Sequence, residues 1–133
     1  MQSASPERPT ILIAERDPSV RELQEHFLGR AGLAVEFAGD GMAALERARL
    51  LRPAVVITEI LIPTLDGLAL CRRLGEDPDT RHIPVLVFSI LAAAPRAAEA
   101  GARAYLRKPL VESLFVATVQ QLIAPPIDIL ETR

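Results

Sequence analysis

Three stretches of this chain are apolar almost without interruption: Thr10-Ile11-Leu12-Ile13-Ala14, Ala54-Val55-Val56-Ile57-Thr58 and Ile83-Pro84-Val85-Leu86-Val87-Phe88. A strand with one face in water alternates apolar and polar residues. One that does not alternate is buried on both faces and needs helices above and below it. The segments between these runs supply them. Asp17-Pro18-Ser19 reads as a helix start, with an acid at the N-cap and proline in the first turn. Val20, Leu23, Phe27 and Ala31 follow at helical spacing until Gly32. Asp40-Gly41 opens a second helix to about Leu51, with Leu45 and Ala48 inward, and Pro53 stops it. Asp66-Gly67 opens a third, through Leu74 and ended by Gly75, and Asp77-Pro78-Asp79-Thr80 is a polar loop. A short helix follows Pro95, and a last one runs from Val111 to Ile123 before Pro125-Pro126. Leu33 to Ala38, with polar Glu36 inside it, suits an edge strand, and Ala102 to Leu106 is the final strand.

Strands alternating with helices in this way predict an α/β fold. It is a flavodoxin-like, doubly wound, five-stranded parallel sheet in the order 2-1-3-4-5, with five flanking helices, the fourth shortened. In such sheets the site lies beyond the carboxyl ends of the strands. Those ends carry Glu15-Arg16-Asp17, Glu59, Ser89 and Lys108, which are predicted to meet in one pocket. Residues 1–8 are expected to be a loose N-terminal segment, 9–124 the folded body and 125–133 a tail or linker, apolar at Ile127-Asp128-Ile129-Leu130.

A length of 133 residues is one domain. A net charge of -2 leaves no footprint for direct nucleic-acid or anionic-membrane binding. No apolar stretch is long enough to cross a bilayer, and the start lacks a signal-peptide core, so the expected location is the cytoplasm. Cys71, the only cysteine, shares a helical face with Leu68 and Leu74 and reads as a small buried hydrophobe. His26 and His82 have no metal-ligand partner at suitable spacing. Of fifteen basic residues only Lys108 is lysine, a weak sign of a site that wants a compact ammonium.

The nonapeptide Glu59-Ile60-Leu61-Ile62-Pro63-Thr64-Leu65-Asp66-Gly67 resembles the Asp-x-x-Met-Pro-x-x-Asp-Gly loop of bacterial response-regulator receiver domains of the CheY-like type. Gly101-Ala102-Arg103-Ala104-Tyr105-Leu106-Arg107-Lys108-Pro109 is similar to that family's Gly-Ala-x-x-Tyr-x-x-Lys-Pro signature, and Ser89 stands thirty residues after Glu59, a typical separation. The resemblance covers about residues 9 to 124. It implies that Ser89 and Tyr105 hold the switch positions, that Lys108 is the phosphate lysine, and that the Lys108-Pro109 bond is cis. In an intact member, acids after the first strand hold magnesium and the aspartate after the third strand takes the phosphoryl group.

The departures fall on that chemistry. Glu59 occupies the phosphoacceptor position, and its extra methylene carries its oxygens into the volume meant for phosphate or metal. Arg16 stands at the main metal-ligand position, where a cation repels magnesium and a guanidinium cannot coordinate it. Glu59 is expected either to accept bonds from Lys108 and Arg16 in an internal ion cluster or, with Arg16, to point to water. Ile90 is expected to crowd the mouth of the site. Asp66 fits a helix N-cap better than catalysis. Val116 and Ile123 read as a modest outward patch. Arg103-Ala104 replaces the acidic pair of members that dimerise by charge, which counts against that mode.

The leading reading is a pseudo-receiver in a two-component, phosphorelay context. It is not an enzyme, works without phosphorylation, needs no cofactor or metal, and acts through protein–protein contacts. Its partner is a signalling protein or a downstream output domain, with a homodimer also open. The alternative is a conventional receiver that takes phosphate at a displaced acid, Asp17 or Asp66, with Mg2+. A small-ligand site is disfavoured because Ala14-Glu15-Arg16-Asp17-Pro18 lacks the glycine and hydroxyls that cradle phosphate.

Overall fold

The computed structural model describes residues 8–124. The elements are β1 (Thr10–Ala14), α1 (Pro18–Arg30), β2 (Ala34–Ala38), α2 (Gly41–Leu51), β3 (Val55–Thr58), α3 (Gly67–Glu76), β4 (Val85–Ser89), α4 (Ala94–Glu99), β5 (Ala104–Arg107) and α5 (Glu112–Ile123). The strands form one parallel sheet in the order β2-β1-β3-β4-β5, as expected. The expected segments 1–8, apart from residue 8, and 125–133 lie outside the described residues.

The unbroken apolar runs do what their composition demands. Leu12 and Ala14 of β1 join Val56, Val85 and Val87 in a core covered by α2, α3 and α4. Ile11 and Ile13 face the other way, with Val55, Ile57, Leu86 and Phe88, into a core covered by α1 and α5. Successive residues of a strand point to opposite faces, so two filled layers require apolar residues at every position. The register Ile13↔Ile57 and Ala14↔Thr58 brings the ends of β1 and β3 level, and Thr58↔Val87 carries this to β4. The residues just beyond those ends therefore share one rim.

Three carboxylates start helices. Asp17 accepts from the Ser19 N–H at 2.9 Å, Asp40 from Ala43 at 2.8 Å and Asp66 from Ala69 at 2.9 Å. Each satisfies an orphan N–H of a first helical turn. Three strand starts move inward from the expected positions because the preceding N–H groups close turns instead. Leu33 donates to Leu28 O at 3.0 Å, Ile83 to Thr80 O at 2.9 Å and Ala102 to Ala97 O at 3.0 Å. Pro84, between Ile83 and β4, has no N–H to give.

Some expected details differ. Gly75 does not end α3, which continues to Glu76; the turn is made by Asp77, whose carboxylate accepts from the Asp79 N–H at 2.8 Å. Val20 and Ala31 pack against the core, but the fully buried residues of α1 are Gln24 and Leu28, and Leu23 is exposed. Val116 and Ile123 are half-buried against the α1–α5 core and make no outward patch; the exposed apolar side chains near α5 are Val111 and Leu114. Cys71 is buried, and burial pushes its thiol up to about 11. No helix among the described residues is long and apolar enough to cross a membrane.

Candidate functional site

Beyond the carboxyl ends of β1, β3, β4 and β5, four side chains converge. Glu15 follows β1, Glu59 follows β3, Ser89 ends β4 and Lys108 follows β5. Glu15, Glu59 and Ser89 are buried, and the Lys108 side chain keeps 17% exposure.

The Glu59 carboxylate is the hub. Its Oε2 accepts from the Ser89 hydroxyl, from the Ile60 N–H at 2.6 Å and from the Leu61 N–H at 3.2 Å. Its Oε1 accepts from the Ile90 N–H at 3.2 Å and faces the Lys108 ammonium at 3.1 Å. The ammonium also lies 3.1 Å from Glu15 Oε1 and donates to Glu15 Oε2 at 3.2 Å. One cation thus bridges two buried carboxylates, with its charge 5.6 Å from the Phe88 ring centroid. Burial opposes ionisation of Glu59, but the Ser89 hydroxyl, Lys108 and the Leu61 N–H outweigh it and hold its pKa below the ordinary value. Burial likewise pushes Lys108 down, and its bonds to Glu59 and Glu15 reverse this, leaving its pKa raised.

Backbone geometry makes this reach feasible. Gly67 donates its N–H to Ile60 O at 2.9 Å. A Cβ at Gly67 would fall 2.2 Å from Glu59 O, so only glycine lets α3 start this close to the loop. Thr58, also buried, donates its hydroxyl to Glu59 O at 2.8 Å. The Lys108-Pro109 bond is cis, as the resemblance implied.

From Glu59 the bonds run on into the loop before α4. Ser89 Oγ accepts from the Leu91 N–H at 3.1 Å. Leu91 O accepts the Tyr105 hydroxyl, which in turn accepts from the Ala93 N–H at 3.2 Å. The hydroxyl of β5 is thereby tied to the loop that Glu59 holds.

Arg16 does not join the cluster. It is exposed, and its guanidinium is not among the partners of Glu59. Glu15 turns inward at the end of β1 and the next residue turns out, so the second member of the pocket is Glu15. Asp17 and Asp66 are exposed, with their carboxylates on the caps of α1 and α3. Ile90 does not crowd the site: its side chain is 58% exposed, and it meets Glu59 only through its N–H. The N–H groups of Ile60, Leu61 and Ile90 escaped the sequence reading because a backbone donor has no residue signature. Both oxygens of the Glu59 carboxylate are thus engaged by donors. The arrangement holds two loops and a strand end together.

Residues 11–120 match the family model described as the response regulator receiver domain. The transcriptional regulatory protein CseB of Streptomyces avermitilis is 33% identical over 120 residues, which are 88% of this chain and 50% of that protein. The chain spans about half the length of the first curated relatives it matches. Among solved structures, the signal receiver domain of a signal transduction histidine kinase from Syntrophus aciditrophicus superposes with a TM-score of 0.80 at 32% identity, covering 91% of this chain and 98% of that one. The receiver domain of a sensor histidine kinase from Pseudomonas aeruginosa PAO1 has magnesium coordinated in its active site cleft. It shares the fold, with a TM-score of 0.80 at 24% identity over 88% of this chain and 98% of that one.

Proposed function

This chain belongs to the response regulator receiver domain family, and from that premise we propose that it is a phosphorylation-independent member, a signalling module held in one state by its own Glu59. Receiver domains are signalling domains of two-component systems, not enzymes. The observation that carries the proposal is the set of groups on the Glu59 carboxylate. Ser89 and Lys108 are the hydroxyl and lysine that the family resemblance assigns to a phosphoryl group, and both already bind this carboxylate. Glu59 thus stands in for a phosphorylated aspartate. The bonds onward through Leu91 and Ala93 tie Tyr105 to the same loop.

The donor set does not suit magnesium. That ion wants near-octahedral oxygen coordination supplied by free carboxylates and water. Glu15 and Glu59 both face Lys108, and the Asp17 carboxylate caps α1. No group of three or more His, Cys, Asp or Glu suited to a metal occurs among the described residues. Output is therefore proposed to pass by contact, to a signalling protein or to an output domain. The likeness to a transcriptional regulatory protein twice the matched length fits the second of these. The proposed setting is the bacterial cytoplasm.

Incubation with a small acyl-phosphate donor and magnesium, followed by intact-mass analysis, tests the reading. The expected result is an unchanged mass. An acid-stable, hydroxylamine-sensitive adduct on Asp17 or Asp66 would establish the conventional alternative instead.

A further inference from the structure

Arg21 is the fourth residue of α1 and is half-buried. A helix dipole favours acids near this end, so the helix itself gives no reason for a cation here. Nor does an ion pair, since those among the described residues do not include Arg21. Its guanidinium is spent on main chain instead. Nε donates to Glu15 O at 2.5 Å, and Nη2 donates to Ala38 O at 3.3 Å. The guanidinium carbon lies 5.1 Å from the Phe37 ring centroid, which backs the side chain from β2. The planar fork of arginine can serve two acceptors from one fixed orientation, which a lysine cannot.

The two carbonyls stand at the ends of β1 and β2. Ala38 O also accepts the Glu15 N–H, at 3.4 Å. The Glu15 residue is therefore held on both sides: its N–H by the end of β2, and its carbonyl by an arginine fixed to that same end. Holding the carbonyl sets the peptide plane between Glu15 and Arg16, and with it which of the two side chains turns in. Glu15 Oε2 then accepts from the Asp17 N–H at 3.2 Å and from Lys108 at 3.2 Å, with Oε1 3.1 Å from the same ammonium.

We propose that Arg21 is the positioning residue for Glu15: by holding the Glu15 carbonyl against the end of β2, it fixes the turn of the pleat that sends Glu15 to Lys108 and Arg16 to solvent. The inference goes beyond the proposed function, because it concerns how the pocket is assembled and not whether the chain takes phosphate.

The test reads Lys108. Lysine labelled with 13C at Cε gives one side-chain resonance, since the chain has one lysine, and its pH titration follows the ammonium. Bonds to Glu59 and Glu15 keep the parent midpoint above the ordinary lysine value. Arg21→Met puts a methyl where Nε stands. It should lower the midpoint, an about fivefold larger acid dissociation constant for Lys108. Glu15→Gln should lower it as well, and the double variant should fall no further than Glu15→Gln alone. Loss of a positive charge by itself moves a neighbouring lysine the opposite way, so the sign separates positioning from charge. Arg21→Gln places an amide nitrogen where Nε stands and removes the charge; it should keep the parent midpoint. An unchanged or raised midpoint in Arg21→Met overturns the proposal, and so does a fall that adds in full to that of Glu15→Gln. If Arg21→Met unfolds within the titration, Arg21→Gln decides: the parent midpoint upholds the assignment and a displaced one overturns it. The titrations contain no phosphodonor, so a chain that accepts phosphate loses the proposed lock and leaves this assignment standing.

Discussion

Lys108 is the residue on which the pocket depends, because it alone neutralises two buried carboxylates. Replacing it with methionine keeps the bulk and leaves Glu15 and Glu59 facing each other. Removing one partner of a buried ion cluster costs about 3–5 kcal/mol, and the low end applies because Lys108 retains 17% exposure. Urea unfolding of Lys108→Met should therefore show a loss of about 3 kcal/mol; a loss within error would mean that solvent already screens the cluster. The same residues predict a pH profile. Glu59 has a lowered folded pKa, so its contribution is present above the ordinary glutamate value and is lost as pH falls through the folded one. Lys108 has a raised folded pKa, so its contribution is present below the ordinary lysine value and is lost as pH rises through the folded one. Stability should hold between about pH 5 and pH 10 as far as this pair is concerned, then fall on the acid side. Glu59→Gln should flatten the acid limb in denaturation measured across pH. The positions of Ser89, Glu59 and Lys108 were legible in the sequence because spacing locates strand ends. The direction of adjacent side chains was not: Glu15 and Arg16 are neighbours, and only the pleat decides that the first turns in.

At the scale of elements, the three central strands were readable because an unbroken apolar run allows no exposed face, and the acid-started helices were readable because each cap is a local bond. The first helix was misread on one turn. Its buried residue is Gln24, a polar side chain that a search for apolar spacing passes over in favour of Leu23. Neither amide atom of Gln24 has a hydrogen-bond partner among the described residues, although the residue is fully buried. A buried, unpaired polar group costs about 1–3 kcal/mol. Gln24→Leu is thus expected to raise stability by about that amount, seen as a higher denaturation midpoint with an unchanged slope. An unchanged or lower midpoint would show that the amide is satisfied in solution.

For the molecule as a whole, the fold follows from burial and chain direction. The sheet order, the two cores and the rim of strand ends were all legible in the sequence, because burial and chain direction permit few alternatives. A groove between α4 and β5 was not, since it arises from what alanines fail to cover. The retained scaffold gives a direct prediction. On the proposed reading, aspartate at both positions, Glu59→Asp with Arg16→Asp, should confer magnesium-dependent acyl-phosphate formation, while Arg16→Asp alone should not. Phosphodonor labelling with and without chelator decides this, and an unlabelled double variant would place the block elsewhere in the site.

The ammonium held between Glu15 and Glu59 has one more consequence. It belongs to the chain's single lysine. Acylating reagents and amine cross-linkers therefore have one side-chain target, a part-exposed ammonium paired with two carboxylates, and modification there must wait for those pairs to open. The rate at which an active ester reacts with this nitrogen is a built-in clock for that opening, read from one atom without any introduced label.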